Sequence, residues 1–257
     1  MNTSSFFLPA KTPVQAASFL LGEKGSGKFV LTLNTELLAR GLSDSDFADL
    51  IQSAPYRVCD SIGAKGIFRS CFPASEISRI AGVDLGSAVL SLCAQRKIPV
   101  FLLGGREGIA VRAKELLTED YPDLIVAGTC HGYFAPHEQA AVRGAIRRSG
   151  ARVVLICLGS PRQEQWILEN RKGLGDVELF LPLGGSMDVY AHAVLRAPLL
   201  WRRLGMEWLF RLLTAPDAGR RLHRLTSSVW VLFRKHREWK PFLEKMRSNC
   251  VELNNRL

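Results

Sequence analysis

The sequence predicts an α/β fold, in which a mostly parallel sheet carries helices on both faces, followed by a helical, basic C-terminal appendage. Three observations support this prediction. Short apolar runs alternate with helical patterns, three of these runs end in a glycine turn, and lysines and arginines are concentrated near the C-terminus. With 257 residues, 47% of them hydrophobic, the chain can bury a full-sized core. It has no glycine period, sustained heptad or polar low-complexity tract, which excludes collagen, a coiled coil and wholesale disorder.

The first predicted elements lie before residue 61. FVLTLN (29–34) predicts a strand, and residues 35–51 predict a helix whose apolar side includes Leu37, Phe47 and Leu50. YRVCD (56–60) predicts a second strand. Further along, Ser75 or Ser87 is the expected cap of a helix that leads up to residue 95.

Three later segments share one design. VFLLGG (100–105), RVVLICLGSP (152–161) and ELFLPLGGSMD (178–188) each predict a strand that ends in a glycine turn, and helical patterns follow the first two. Near-continuous apolar strands of this kind are typical of a parallel sheet covered on both faces. Because the crossovers are right-handed, we expect all three glycine turns at one edge of the sheet. Ligands of open α/β sheets bind at that edge.

The positive charge is unevenly distributed. Residues 196–257 contain 14 Lys and Arg against 5 Asp and Glu, whereas residues 1–195 contain 20 against 19. We therefore predict a core at 1–195 and an appendage at 196–257. An anionic partner is expected: nucleic acid, anionic lipid or a phosphorylated substrate. Aromatic and basic residues interleave in the appendage, which fits a helix at a membrane interface and a helix packed on its own core equally well.

The sequence indicates a cytoplasmic location. Its six cysteines are scattered without a C-x-x-C pair, as expected of reduced thiols. The N-terminus lacks the basic start and long apolar centre of a secretory signal. No apolar run reaches the roughly 18 residues needed to cross a bilayer. We therefore expect a soluble or peripheral membrane protein.

Several common motifs are absent or incomplete. GEKGSGK (22–28) resembles a phosphate loop, but Phe29 follows the lysine and opens a strand, so a polar turn is expected. Gly104, Gly105 and Gly108 do not form the G-x-G-x-x-G fingerprint of dinucleotide-binding proteins. The five histidines lack metal-ligand spacing, and no G-x-S-x-G elbow occurs. We expect neither a metal nor a cofactor.

Polar residues follow several of the predicted strands. Helix capping explains each of them singly, because Asp, Asn and Thr are favoured at helix starts whatever the chemistry. Together, at one edge of the sheet, they outline a polar site. They are Thr32 and Asn34 on one face of the first strand, Asp60 after the second, Gln163 and Glu164 at a helix start, and Asp188 after Gly184-Gly185.

GSPRQEQWI (159–167) and LPLGGSMDVYAHAVLRAPLLWRRLGMEWLFRLL (181–213) resemble the WecG/TagA/CpsF glycosyltransferases. That family carries G-x-P-[KR]-Q-E-x-W, then G-G-x-x-D, R-A-P and E-W-L-x-R-L. Upstream, TLN (32–34), Asp60, RIAGVDL (79–85), FLLGG (101–105) and HGYF (131–134) fall in the family's order. The resemblance covers residues 29–224, which is nearly the whole predicted core and part of the appendage.

The resemblance implies an inverting, metal-independent transfer of a sugar, of the N-acetylmannosamine type or a related hexose. The donor would be a UDP-sugar and the acceptor a polyprenyl-diphosphate-linked sugar, for a cell-surface polymer such as an exopolysaccharide. The implied partners include an anionic membrane surface and no nucleic acid, and the implied location is the inner face of the bacterial cytoplasmic membrane. The oligomeric state is left open, a homo-oligomer included.

The resemblance also implies that the appendage at 196–257 associates with the membrane and completes the active site, and it implies roles for individual residues. Asp60 matches the family's proposed base, Thr32 matches a residue of its pocket, and we predict that both are catalytic. Arg220 and Arg221 both compete for one arginine role, and the three-residue spacing to Arg224 favours Arg221. The implied substrate-binding residues are Asn34, Gly104, Gly105, Gln163, Glu164, Gly185, Asp188, Arg211, Arg221 and Arg224.

Two other functions compete with this interpretation. An NAD(P)-binding Rossmann-type oxidoreductase would share the fold class, but the missing dinucleotide fingerprint argues against it. A non-enzymatic, basic membrane- or nucleic-acid-binding module would explain the charged appendage, but it leaves the polar residues at the sheet edge without a role.

Overall fold

Six strands, all parallel, form one sheet in the computed structural model, which describes residues 6–214 and 218–254. The strand order is β2-β1-β6-β5-β3-β4, so the sheet class predicted from the sequence is confirmed. The strands are β1 (Lys28–Leu33), β2 (Tyr56–Cys59), β3 (Val100–Gly104), β4 (Val126–Cys130), β5 (Val153–Cys157) and β6 (Leu179–Pro182).

Helices cover both faces of this sheet, and further helices follow it at the C-terminus. They are α1 (Pro13–Gly22), α2 (Thr35–Ser43), α3 (Ser45–Gln52), α4 (Ile62–Cys71), α5 (Gly82–Gln95), α6 (Ile109–Asp120), α7 (Gln139–Ser149), α8 (Arg162–Asn170), α9 (Ser186–Tyr190), α10 (Leu199–Arg203), α11 (Glu207–Thr214), α12 (Ala218–Arg234) and α13 (Trp239–Asn254).

Alternating strand residues feed two hydrophobic clusters, one on each face. Phe29, Leu31 and Leu33 of β1 pack with α2, α3, α4, α7 and α8, whereas Val30 packs with α1, α5, α6 and α9. Side chains alternate between the two faces of a strand, so a strand buried on both sides is apolar at nearly every position. This explains the near-continuous apolar runs in the sequence.

The order of the strands creates a switch point between β5 and β3. The connection through α8 leads from β5 to β6 on one side, while the connection through α6 leads from β3 to β4 on the other. Neighbouring strands whose connections leave in opposite directions open a crevice beyond their carboxyl ends. The three glycine turns lie at this edge of the sheet, as predicted.

Three local predictions were wrong. The helix expected over 35–51 is divided into α2 and α3, because Asp44 is extended and its Oδ1 accepts a 3.1 Å hydrogen bond from Phe47 N. Neither Ser75 nor Ser87 caps α5, which begins at Gly82 instead. Strand β4 was missed, because it lies at the sheet edge and only its first residue is buried.

The GEKGSGK segment connects α1 to β1 at the end of the sheet where the strands begin, whereas the glycine turns lie where the strands end. Lys28 is the first residue of β1, and its buried Nζ donates to the carbonyls of Leu20, at 3.0 Å, and Glu23 at the end of α1. Burial lowers the pKa of this lysine. Lys28 therefore caps a helix C-terminus, in agreement with a turn and not with a phosphate loop.

The C-terminal helices pack on the α/β core. Helix α12 lies against α2, and α13 lies against α3 and α4. Their inner faces bury Leu232, Leu243 and Met246 in the hydrophobic cluster that also contains Phe29 of β1. In the part of the chain that the structure describes, we find no helix with the length and apolarity needed to cross a bilayer. The division at residue 196 stays a prediction.

Candidate active site

Asp60 follows β2 and caps a helix that begins 22 residues further along the chain. Its Oδ1 accepts a 2.9 Å hydrogen bond from the backbone N–H of Gly82, the first residue of α5. Ala81, which stands at the capping position itself, has no side-chain acceptor. The carboxylate therefore faces a helix N-terminus, where backbone amides and the helix dipole favour a negative charge.

Thr32 lies beside this contact. The side chain is buried in β1, and its Oγ1 donates to the carbonyl of Pro182 on β6 at 3.4 Å. A Cβ placed on Gly82 would lie 3.5 Å from the Thr32 Cγ2, so the threonine packs directly on the glycine whose amide binds Asp60. The two predicted catalytic residues are thus brought together at the carboxyl ends of β1 and β2.

Asn34 caps α2 immediately after β1, and its Oδ1 accepts a 2.9 Å hydrogen bond from Leu37 N. The next residue, Thr35, shares a 3.1 Å hydrogen bond with the hydroxyl of Ser61. The turns that follow β1 and β2 are therefore tied to each other. Capping accounts for the described contact of Asn34, and its role in substrate binding stays a prediction.

Gln163 and Glu164 connect the turn after β5 to the Gly-Gly turn after β6. Gln163 Oε1 accepts a 2.9 Å hydrogen bond from Gly184 N, and its Nε2 donates to Glu164 Oε1 at 2.8 Å. Both side chains are buried, and Glu164 Oε2 has no hydrogen-bond partner among the described residues. Burial raises the pKa of the Glu164 carboxyl. Glu164 therefore fixes the orientation of the Gln163 side chain through this buried hydrogen bond.

Glu164→Gln is expected to raise stability more at alkaline than at acidic pH. Ionising a buried carboxyl costs free energy in the folded protein, so wild type loses stability as the pH rises above 4.5, the ordinary value for a glutamate, toward the raised pKa of Glu164. Glutamine cannot ionise and keeps the acceptor for Gln163. Melting temperatures at about pH 5 and about pH 8 should show a larger gain at the higher pH. The same change at exposed Glu169 on α8 is the control, and an equal gain at both pH values would contradict the prediction.

The two glycines at the end of β3 are required by packing. Gly104 has a φ of 137°, and a Cβ there would overlap the carbonyl of Cys157 on β5. Gly105 has a φ of 73°, and its Cβ would lie 2.7 Å from Ile109 Cγ2. The backbone of β3 thus turns closely over the switch point. Substrate binding by these two glycines stays a prediction.

Gly185 and Asp188 lie at the start of α9, after β6. A Cβ on Gly185 would stand 4.0 Å from Asp188 Oδ2, so the carboxylate lies close to the Gly-Gly turn. Tyr190 of the same helix donates a 3.0 Å hydrogen bond to the carbonyl of Val83 in the first turn of α5. The contact places α9 beside the helix that Asp60 caps.

An open cavity of about 480 Å³ lies beyond β3 and β4, lined by Arg106, Glu107, His131 and Tyr133. Tyr133 is 73% exposed. Sequence reasoning placed none of these four residues in the site, although HGYF was recognised as a motif.

Arg162 holds the loop that carries Tyr133. Its guanidinium donates to the carbonyls of Gly132, at 2.6 Å, and Phe134, at 3.0 Å, and it stacks over the Phe134 ring at 4.7 Å. Gly132 N in turn donates to Gly105 O at 2.8 Å. The loop is therefore fixed between α8 and the glycine turn of β3.

Three arginines that were not predicted as site residues gather at the first turn of α5. Arg196 Nη2 contacts Asp84 Oδ1, and Arg202 Nη1 lies 4.0 Å from the same oxygen. Arg79 Nη2 donates to the Arg202 carbonyl at 2.8 Å. The Nε atoms of Arg196 and Arg202 are buried without a partner among the described residues. In the sequence, Arg79 and Asp84 belong to the RIAGVDL motif and Arg196 to the R-A-P motif, so these two motifs could have indicated the cluster.

The arginines that were predicted as site residues are less well defined. The backbones of Arg211 and Arg221 belong to α11 and α12, but their side chains lie outside the described part of the protein. Arg224 is exposed on α12, which packs against α2. All three roles stay predictions.

The site extends along the sheet edge. From β2, which Asp60 follows, to β3 there are four strand spacings of about 4.8 Å, or roughly 19 Å. A ligand that reaches both Asp60 and the Tyr133 cavity must therefore be extended, as a nucleoside, a diphosphate and a sugar are when joined in series. Within the described ranges, no three His, Cys, Asp or Glu side chains cluster as a metal site. A metal-independent reaction stays a prediction.

Comparison with known protein families gives a match over most of the chain. The model of the Glycosyl transferase WecG/TagA/CpsF family matches residues 10–241. This range includes all six strands described above and every candidate site residue.

Proposed function

The chain belongs to the WecG/TagA/CpsF glycosyltransferase family of cell-surface polysaccharide biosynthesis, and we propose that it transfers the sugar of a UDP-sugar to a polyprenyl-diphosphate-linked acceptor. The sugar is of the N-acetylmannosamine type or a related hexose. The observation that carries this proposal is the Asp60 carboxylate, held by Gly82 N at the carboxyl edge of the sheet and packed beside Thr32.

In the proposed reaction, Asp60 acts as the general base. An acceptor hydroxyl oxygen forms a bond to the sugar C1 while the bond from C1 to the diphosphate oxygen breaks on the opposite face. The hydroxyl proton passes to the Asp60 carboxylate, and UDP leaves with the electron pair of the broken bond. Attack opposite the leaving group inverts the anomeric centre. The Gly82 amide keeps the carboxylate in a fixed orientation, which is what a general base requires.

Thr32 positions the base, Asp60, by packing on the glycine that binds it. Its hydroxyl is bound to the Pro182 carbonyl, and its methyl group packs on Gly82. Asp60, Thr32 and the turn that follows β6 are thereby linked. We assign Thr32 a role in holding the base at the reacting sugar.

The donor lies along the sheet edge in this proposal. Its base stacks on the exposed ring of Tyr133, since aromatic rings bind any nucleobase through its face. The diphosphate passes the backbone turns that contain Gly104, Gly105 and Gly185. Gln163 and Glu164 support the centre of this path, and Asp188 offers acceptor oxygens to sugar hydroxyls.

The departing diphosphate needs positive charge. Arg79, Arg196 and Arg202 are the guanidinium groups found near the Asp60 turn, and Arg211, Arg221 and Arg224 are further candidates. Arginine binds phosphate through paired N–H groups, and such contacts strengthen as charge develops on the leaving oxygen.

The C-terminal helices offer a surface suited to a lipid-linked acceptor. Many of the strongly exposed large apolar side chains of the described residues lie between residues 195 and 233. Basic residues surround them, as in a peripheral membrane helix, and each cation near an anionic bilayer contributes on the order of 1 kcal/mol. We propose that this surface docks on the anionic inner face of the cytoplasmic membrane. Its apolar side chains are Leu195, Leu199, Leu200, Leu204, Trp208, Leu213, Leu222, Val229, Trp230 and Phe233.

The test is a UDP-release screen across a panel of UDP-sugars with a short-chain prenyl-diphosphate-linked acceptor. At least one donor should give UDP together with a glycosylated acceptor whose new linkage has the inverted anomeric configuration by NMR. Binding measurements with NAD and duplex DNA serve as controls, and neither should bind at the micromolar concentrations at which UDP binds. Failure of every donor, or retention of configuration, would contradict the proposal.

Transfer is expected to persist in excess EDTA. The physical reason is that guanidinium groups, and not a divalent cation, neutralise the leaving diphosphate in this proposal. Initial rates should be measured after EDTA treatment and again after magnesium or manganese is added. Loss of activity with EDTA and its recovery with either metal would show that the arginine account is wrong.

A further inference from the structure

Three of the described contacts join residues 196–205, called here the docking segment, to the α/β core. Arg196 and Arg202 face the Asp84 carboxylate on α5. The Arg202 carbonyl accepts a hydrogen bond from Arg79. Gly205 is buried with a φ of 69°, and a Cβ there would overlap the side chain of Ile62 on α4.

The three residues contacted in the core, Ile62, Arg79 and Asp84, are all close to Asp60 or to a residue that binds its turn. Ile62 comes two residues after Asp60. Arg79 is paired in a β-bridge with Cys59, the residue before Asp60, and Ile80 N donates to Cys59 O at 2.8 Å. Asp84 comes two residues after Gly82, whose amide binds the Asp60 carboxylate. The docking segment therefore contacts three residues that adjoin the Asp60 turn, although it is distant from Asp60 in sequence.

Asp84 is the charged anchor among the three points. Its side chain is 36% exposed, and that of Arg196 is 25% exposed, so the pair is shielded more than a typical surface ion pair. Asp84 also lies in the first turn of α5, where the helix dipole favours a negative side chain. Removal of its charge would leave Arg196 and Arg202 facing a helix N-terminus that repels them.

We propose that Asp84 is a positioning residue for sugar transfer, which holds the docking segment against the turn that carries the base Asp60. Through the docking segment, Asp84 sets the place of α10 and α11 relative to that turn. The catalytic part of this inference rests on the proposed function. The structural part does not, because it concerns only whether Asp84 holds residues 196–205 in place.

The test starts from Asp84→Asn in the full-length protein, which removes the charge at nearly constant volume. Amide hydrogen exchange in residues 196–206 should become about ten-fold faster, because the segment opens locally more often. The turnover number with the soluble acceptor should fall about ten-fold, because small misplacements of a reacting group are costly. Asp84→Glu should recover part of both losses.

Glu178→Gln is the matched control. Glu178, whose side chain is 29% exposed, forms an ion pair with Arg152 where β5 and β6 begin, and Arg152 Nε donates to its Oε1 at 2.7 Å. Loss of this pair should leave the exchange of residues 196–206 and the turnover number within about two-fold of wild type. The melting temperatures of the two variants should be similar, so a difference in turnover cannot come from global stability.

Two further variants separate positioning from a general loss of structure. Asp84→Arg combined with Arg196→Asp restores the pair with its charges exchanged, and amide exchange in residues 196–206 should be slower than in either single variant by at least about three-fold. Gly205→Ala keeps the ion pair but pushes the segment away from Ile62, and it should reproduce the faster exchange and the lower turnover.

Wild-type exchange in Asp84→Asn would overturn the structural part of the proposal. Faster exchange with unchanged turnover in Asp84→Asn would overturn the catalytic part, and an exchanged pair whose amide exchange is no slower than that of its single variants would overturn the structural part. If wild type transfers no sugar from any donor, the proposed function fails and the catalytic part fails with it. The exchange measurements still decide whether Asp84 holds the segment.

Discussion

Asp60→Asn should lower the turnover number for sugar transfer by about 10² or more, the usual range for loss of a general base. Asparagine has nearly the same shape and caps helices as well as aspartate does, so its carbonyl oxygen still accepts the hydrogen bond from Gly82 N. The melting temperature and the affinity for UDP should therefore stay near the wild-type values. The measurements are initial rates with saturating donor, calorimetric UDP binding and thermal unfolding.

Asp44→Asn is the matched control for this prediction. Asp44 also caps a helix through a backbone amide, because it directly precedes α3 and accepts from Phe47 N, but it lies outside the proposed site. If Asp60 only caps a helix, both variants should behave alike and transfer at the wild-type rate. Turnover near the wild-type value in Asp60→Asn would remove Asp60 from the mechanism.

The double substitution Trp230→Glu and Phe233→Glu should reduce binding to anionic vesicles by at least about 10², since burial of each large apolar side chain contributes roughly 1.5–3 kcal/mol. The two side chains are 58% and 78% exposed on α12, on the side away from buried Leu232, so the fold should tolerate the change. Glutamate also repels the lipid headgroups. Vesicle flotation measures the effect, with the melting temperature as a check on folding.

The control for the vesicle experiment is Val14→Glu combined with Val111→Glu. These valines are 59% and 50% exposed on α1 and α6, outside the C-terminal helices. This variant should float like wild type, and the binding of both proteins should weaken as salt screens the basic residues. Equal flotation of the α12 variant and wild type would refute membrane docking by this face of α12.

Much of the fold could be predicted from local patterns. The apolar runs of β1, β2, β3, β5 and β6 were found because strands buried on both faces are apolar at nearly every position. The failures have equally local causes. Strand β4 is a partly exposed edge strand with a weak pattern, and a single capping residue, Asp44, divides the helix expected over 35–51.

The candidate site was only partly predictable. Asp60, Thr32 and Gln163 stand at strand ends or a helix start, and the structure places them at one edge of the sheet because parallel strands end together. The cap of α5 was not predictable, because its acceptor is the side chain of Asp60, which follows β2, and not the side chain of Ala81, which precedes the helix. The burial of Glu164 beneath Gln163 was also visible only in the packed structure.

By itself, the sequence determined the α/β class, the glycine turns and the concentration of charge after residue 195, because these properties depend on periodicity and composition along short stretches of chain. Only the tertiary structure decided which distant segments meet. Arg196 and Asp84 are 112 residues apart, and Arg79 and Arg202 are 123 apart. Their contacts follow from the strand order and from the packing of α5 beside β2, and no local pattern carries that information.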